Sequence, residues 1–303
     1  MAQLESQQVD HGLTFEAVIE LLDDGVVVMR NDRSVRFINS AAMRILGLGP
    51  EHRAADFVAR AASLPCYDAE GRPVPSDIHP VALALREGVA FSRQVCGTDL
   101  PNGERKWLLA SGRLFDPDEP ESSDMLISFS DITTQRATVE RLAHEANHDP
   151  LTGLPNRAFV MRRIGEALAK TAGVRLRAVL FIDLDDLKTT NDTLGHDAGD
   201  ALLNAAATRL RQSVGPSDVV GRLGGDEFVI LIFGRTARGE LSGLVDRLRA
   251  RLAETVVIAA TRMPIRASVG LVELERDDQR TAGAILRDAD RAMYQAKRAG
   301  RRR

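Results

Sequence analysis

Apolar residues recur at helical spacing at Phe15, Val18, Ile19 and Leu22, after which the period shortens. Asp24-Gly25 marks a turn. Gly25–Met29 reads as a strand, 31–34 as a hairpin turn and Val35–Ile38 as a second strand. Asn39-Ser40 is the cap of a helix running to Leu46, closed by Gly47. The Pro- and Gly-rich stretch 64–80 predicts a loop, and 81–86 a short helix ended by Gly88. Three strand-like runs follow at 91–96, 105–113 and 125–130. Pro101-Asn102-Gly103 separates the first two, and the acidic loop 116–124 the last two. This order predicts one antiparallel sheet with helices on one face.

Residues 132–147 contain neither Gly nor Pro. Ile132, Val139 and Ala146 lie seven apart, and Leu142 adds a d-like position. Gln135 weakens this short seam, so the stretch reads either as a dimer helix or as a solvated linker helix. From residue 150 the pattern changes again. Helices are predicted at 156–169, 197–212, 239–253 and 282–298, a buried strand at 177–185, a hairpin at 219–233, and strands at 255–259 and 264–272. This alternation predicts an α/β or α+β half with both parallel and antiparallel pairing. The resulting division is a flexible polar N-terminus at 1–13, a first domain at 14–131, a linker helix at 132–147 and a second domain at 148–303.

Composition narrows the partners. A net charge of −3 over 303 residues gives no global basic field to collect nucleic acid. The only two cysteines, Cys66 and Cys96, form neither a CxxC nor a zinc spacing, which fits a reducing compartment. No apolar run approaches the ~18–20 residues of a membrane span, and the first residues lack a signal-peptide pattern. A cytoplasmic protein without membrane or nucleic-acid partners is expected.

The acids are placed less evenly than the composition implies. The strand "FIDLDDL" is apolar until Asp183, Asp185 and Asp186, and alternation puts Asp183 and Asp185 on one face. A divalent cation between two such carboxylates would relieve their repulsion, although a solvated polar strand end reads equally well on these residues alone. The hairpin "RLGGDEFVIL" is a tight reversal whose glycines accept positive φ and let a ligand approach the backbone. If the two strands are neighbours, Asp183, Asp226 and Glu227 converge into a hard-oxygen site for Mg²⁺ or Mn²⁺, ions that commonly accompany phosphates. Lys188, Asn191, His196 and Asp200 sit in a predicted loop running into a helix. Asn and Asp side chains can read a guanine edge, while a lone His there is as readily structural. Lys297 and Arg301, one turn apart, can hold a triphosphate or form an ordinary basic tail.

Five collinear segments, "DPLTGLPNR" (149–157), "FIDLDDLKTTNDTLGHDAGD" (181–200), "GRLGGDEF" (221–228), "RASVGL" (266–271) and "ADRAMYQAKRAGR" (289–301), resemble the GGDEF family of diguanylate cyclases. The resemblance implies a fold similar to nucleotidyl-cyclase and polymerase-palm domains, a mixed sheet flanked by helices. It implies condensation of two GTP to cyclic di-GMP and two pyrophosphates between two facing subunits. By position, Asp183, the Leu184 carbonyl, Asp226 and Glu227 would hold two Mg²⁺ or Mn²⁺ ions, with Asp226 also taking the 3′-hydroxyl proton beside Glu227. Asn191 and Asp200 would bind guanine, with His196 near the ribose or base. The backbone at Asp186, Leu187 and Lys188, the side chains of Lys188, Lys297 and Arg301, and the open approach at Gly224 and Gly225 would hold the phosphates.

Two departures from the family pattern stand out. The Arg-x-x-Asp motif that binds inhibitory product in many members is here Gly215-Pro216-Ser217-Asp218, so its arginine is missing and the inhibition site is expected to be absent. Leu187 stands where an aromatic is usual. The first half, through "DGVVVMRNDRSVRFINSAAMRILG" (24–47), "GERKWLLASGRLF" (103–115) and "SFSDITTQR" (128–136), resembles a PAS sensor domain, an α+β fold. That resemblance implies a homodimer formed through PAS and linker helix, with the PAS domain, whose ligand no residue pattern names, regulating the cyclase. Two other readings compete: a catalytically silent GTP-binding regulatory module, and a PAS-driven dimerisation scaffold.

Overall fold

The computed structural model describes residues 15–30, 32, 34–48, 64–75, 90–119, 122–169, 175–234 and 240–300. The chain divides into two compact units, 1–140 and 141–303.

In the first unit, α1 (Phe15–Glu20) leads into β1 (Gly25–Met29), β2 (Val35–Ile38) and α2 (Ser40–Ile45). Of the predicted α1 face, Ile19 is buried while Val18 and Leu22 are exposed. Asn39 caps α2 as expected and does more. Its Oδ1 accepts from Ala42 N and Val26 N, and its Nδ2 donates to the carbonyls of Ile19 and Asp24, so this fully buried side chain ties helix, strand and turn together. The remaining strands are β3 (Cys66–Tyr67), β4 (Pro73–Val74), β5 (Phe91–Asp99), β6 (Arg105–Leu114) and β7 (Met125–Asp131). They make a seven-stranded antiparallel sheet in the order β2-β1-β7-β6-β5-β3-β4. The stretch expected to be loop therefore contains a two-strand hairpin. The expected helix at 81–86 and the N-terminal segment 1–13 lie outside the described residues. Both cysteines are free thiols, and burial pushes Cys96 up to about 12.

Helix α3 (Thr133–Asn147) starts in the first unit and ends in the second. Its start is fastened to β6, where Trp107 N donates to Thr133 Oγ1 and Ile132 N to the Trp107 carbonyl, and to the end of β7, where Thr133 N donates to Asp131 Oδ1. Arg136 stacks 3.8 Å over the Trp107 ring and donates to the Ala69 carbonyl. The helix buries no side chain, and Val139 and Leu142 are exposed.

The second unit contains α4 (Arg157–Leu168), β8 (Leu176–Leu184), α5 (Leu187–Leu194), α6 (His196–Gln212), β9 (Val219–Gly224), β10 (Glu227–Phe233), α7 (Glu240–Ala253), β11 (Thr255–Ile258), β12 (Thr261–Pro264), β13 (Ala267–Glu273) and α8 (Ala282–Gly300). Its main sheet runs β13-β8-β10-β9. Alternation along β8 sends Leu180, Ile182 and Leu184 into one core with Ala206 and Leu248, and Val179 and Phe181 into another with Val160 and Ile285. Both sheet faces are therefore covered, which is why β8 and β10 read as unbroken apolar runs.

The α+β class holds, but the expectation of both pairing types does not: all three pairings in this sheet are antiparallel. β10 inserts between β8 and β9, so those two parallel-running strands never hydrogen-bond to each other. The predicted strand 264–272 is found as β13 in the main sheet, and a further short strand, β12, not predicted, pairs with β11. The predicted loop before α6 is mostly helix, α5, joined to α6 through Gly195.

Candidate functional site

The site is built at the end of β8. In the antiparallel register of β8 with β10, Glu227 lies opposite Asp183, and Leu184 N donates to the Asp226 carbonyl at 3.1 Å. The two acidic motifs, more than 40 residues apart in sequence, are thus adjacent. The turn joining β9 to β10 is Gly225-Asp226, with Gly224 at φ 145° and Gly225 at φ 50°. Positive φ needs glycine there, and the space beside both is open. Arg222 braces the turn by donating to the Gly225 carbonyl through Nε and Nη2 at 3.0 and 2.8 Å, while its Nη1 reaches both carboxylate oxygens of Asp149.

Asp183 and Asp185 do share a face, and a cation does lie between them: the Lys297 ammonium, 2.5 Å from Asp183 and 3.9 Å from Asp185. Ser268 Oγ donates to Asp185 at 2.8 Å. Lys297 arrives on α8, which lies directly on β13 at Gly270. A Cβ there would sit 2.1 Å from Met293 N and 2.4 Å from the Ala289 carbonyl. Burial raises the Glu227 carboxyl above the usual range. The charges of Asp290, Asp226 and Asp183 add to this and outweigh Arg157.

Asp186 caps α5 without a side-chain hydrogen bond, and helix bonding begins at Thr190 N. The first amides of α5, from Leu187 on, are thus the unpaired donors of a helix N-terminus, where phosphate binds well. Lys188 is exposed in this turn. Asn191, on α5, presses against Gly199 of α6, and its Oδ1 is buried without a hydrogen-bond partner. His196 and Asp200 are exposed one turn apart on α6. Arg301 lies outside the described residues.

Among the described residues no three His, Cys, Asp or Glu side chains are grouped to hold a metal ion. Lys297 is the cation that contacts Asp183. The donors present are hard oxygens from one or two carboxylates plus main chain. Mg²⁺ accepts that partial shell when substrate phosphates and water complete it.

Sequence reasoning missed Ser268, Gly270, Asp290, Arg157, Gly199 and the Asp149–Arg222 pair. Gly270 carried a signal, a glycine interrupting an apolar strand. Asp149 and Arg222 sat inside quoted motifs but had no visible relation to one another.

Comparison with known proteins gives the context. Residues 146–303 match the family described as diguanylate cyclase, GGDEF domain, and residues 13–78 match a PAS domain. Diguanylate cyclase TpbB of Pseudomonas aeruginosa is 44% identical over 170 residues, covering 53% of this chain and 37% of that protein. Cyclic di-GMP phosphodiesterase PdeR of Escherichia coli is 28% identical over 299 residues, covering 98% of this chain and 43% of that protein. The chain thus spans less than half the length of either relative. The crystal structure of the coiled coil and GGDEF domain of DgcB from Caulobacter crescentus, in complex with c-di-GMP, shares the fold. Its TM-score is 0.50 and its identity 24%, covering 56% of this chain and 90% of that one.

Proposed function

The chain belongs to the diguanylate cyclase GGDEF-domain family, and from that premise we propose that it condenses two GTP into cyclic di-GMP and two pyrophosphates. The observation that carries this reading is the β8–β10 register, which sets Asp226 and Glu227 against Asp183 beside the open N-terminus of α5. Asp183, the Leu184 carbonyl, Asp226 and Glu227 would hold Mg²⁺ or Mn²⁺, two per site. Bound there, the ions supply charge neutralisation for the triphosphate and acidify the ribose hydroxyl.

The chain's own residues do the rest. Asn191 and Asp200 read the guanine edge, with His196 beside the ribose or base. The amides of Asp186–Lys188 and the side chains of Lys188, Lys297 and Arg301 grip the phosphates, and Gly224-Gly225 leaves room for them. Asp226 accepts the 3′-hydroxyl proton. The 3′-oxygen then bonds to the α-phosphorus of the GTP on the facing copy, and the bond to pyrophosphate breaks. The same exchange in the opposite sense closes the ring. Holding the two nucleotides face to face is a positioning effect one copy cannot supply.

The dimer forms through the first domain and α3, whose Val139 and Leu142 are exposed and three apart, and the PAS domain regulates it in the cytoplasm. The domains are a PAS sensor at 14–131, the linker helix at 132–147 and the cyclase at 148–303. No helix among the described residues is long and apolar enough to cross a membrane.

The test is incubation of the purified chain with GTP and Mg²⁺, reading cyclic di-GMP and pyrophosphate. Product is expected from the wild type and lost in Asp226→Ala. GTP bound without turnover would instead support a silent binding module, and neither binding nor turnover a scaffold. Full turnover by Asp226→Ala would remove that residue from the metal and base roles.

A further inference from the structure

Lys297 is proposed above to grip phosphate, yet its ammonium is engaged with the strand-end aspartates. It touches Asp183 Oδ1 at 2.5 Å, with Asp185 Oδ1 at 3.9 Å. The side chains are 20%, 14% and 29% exposed for Lys297, Asp183 and Asp185, so the attraction is only partly screened. The contact is aimed by the backbone. Gly270 lets α8 rest on β13 at Ala289 and Met293, and Lys297 follows Met293 by one turn on the same face. Ser268 holds Asp185 from the other side. Asp183 keeps free lone pairs, but an ammonium on its Oδ1 sets a positive charge beside any divalent cation this carboxylate would take, so the two compete for it.

We propose that Lys297 is a tethered stand-in for the metal. Without nucleotide its ammonium holds the Asp183–Asp185 pair. The nucleotide's phosphates draw the ammonium away and bring the divalent cation in, so metal and GTP bind as a pair and metal does not load the protein alone. This inference rests on the reading of Asp183 as a metal ligand and Lys297 as a phosphate ligand.

The experiment is a Mn²⁺ titration of the full chain without nucleotide, following loss of the free-Mn²⁺ electron paramagnetic resonance signal. Lys297→Met keeps the apolar stem and removes the charge. It is expected to bind Mn²⁺ at least about tenfold more tightly than wild type, the scale of coupling between close charge pairs. Lys297→Arg, which keeps the charge, is expected to stay weak. Gly270→Ala, which pushes α8 away, is expected to fall between and gives a second route if Lys297→Met does not fold. Equal Mn²⁺ affinity in wild type and in the charge-removing or displaced variants would overturn the proposal.

Adding Asp183→Asn to Lys297→Met separates the inference from its premise. Loss of the gained Mn²⁺ binding supports both, and its persistence would refute Asp183 as the ligand and, with it, the stand-in role. Failure of the cyclase reading would appear separately, as no cyclic di-GMP from wild type with GTP.

Discussion

Arg222 and Asp149 form a two-point ion pair, Nη1 to Oδ1 at 2.9 Å and to Oδ2 at 3.1 Å, with side chains only 10% and 17% exposed. The rest of the guanidinium donates to the Gly225 carbonyl in the turn that carries Asp226. Asp149 follows helix α3 by two residues and is itself held by Thr152, whose amide and hydroxyl both donate to Oδ1. The hairpin of the site is therefore fastened to the segment directly after the linker helix.

Asp149→Asn removes the charge and leaves a largely buried guanidinium with half its partners. We expect a loss of roughly 1–3 kcal/mol, the cost of breaking a charge-assisted and partly buried pair. Urea unfolding of the full chain measures it, provided that the transition of the second unit is resolved. Turnover of GTP is expected to fall further than stability, because the turn loses the group that orients its carbonyl.

The same pair gives an acid limb. Burial alone would raise the Asp149 carboxyl, but the Thr152 hydroxyl and amide and the Arg222 guanidinium outweigh it and hold it below the usual carboxylate range. A carboxyl lowered on folding stabilises above its unfolded value, about 3.9, and that stability is lost as pH falls through the folded value. Melting temperature against pH is expected to drop below about pH 4 in the wild type. In Asp149→Asn the drop should be shallower, and identical slopes would refute the assignment.

Gly199→Ala tests whether Asn191 reads the base. A Cβ at 199 would lie 1.8 Å from Asn191 Oδ1, so the amide has to rotate away. Alanine is the better helix former by about 1 kcal/mol, so the helix itself should not suffer. GTP affinity is expected to fall about tenfold, one lost hydrogen bond of roughly 1.4 kcal/mol. Calorimetric titration with a non-hydrolysable GTP analogue reads it, and unchanged affinity would take Asn191 away from the guanine.

How far the sequence reaches can be argued from these residues. Strand alternation put Asp183 and Asp185 on one face and left open a divalent cation between them or a solvated strand end. The face holds, and the Lys297 ammonium, 114 residues away, contacts that pair. Local pattern carries periodicity and turn chemistry, which is why Asn39 and the glycine hairpin were legible as cap and turn. It does not carry the register of distant elements, which depends on which backbone another can approach. Gly270 admits α8 and Gly199 admits Asn191 by lacking a side chain, and each contact is written in two places at once. The TTNDT run in α5 was misread for a related reason: its poor helix propensity is overridden by packing of Leu187 and Thr190 against the core.

Asp218 is engaged by two backbone amides. Its Oδ2 accepts from Gly215 N and its Oδ1 from Phe233 N, each at 2.9 Å, so it closes its own turn and ends β10. This occupation explains an aspartate without the arginine of an Arg-x-x-Asp pair. Asp218→Ala is expected to cost roughly 1–3 kcal/mol through the unpaired amides and to leave the response to product unchanged. Gly215→Arg restores the motif at a position where a Cβ would meet only Asp218 Oδ2, at 3.3 Å. Initial rates with added cyclic di-GMP are expected to be flat for wild type and to fall for Gly215→Arg. Because Asp218 is already engaged by two amides, the new arginine must share it, and the inhibition gained should be weaker in Gly215→Arg/Asp218→Ala than in Gly215→Arg alone. Equal inhibition in the single and double variants would mean that the aspartate serves the fold only.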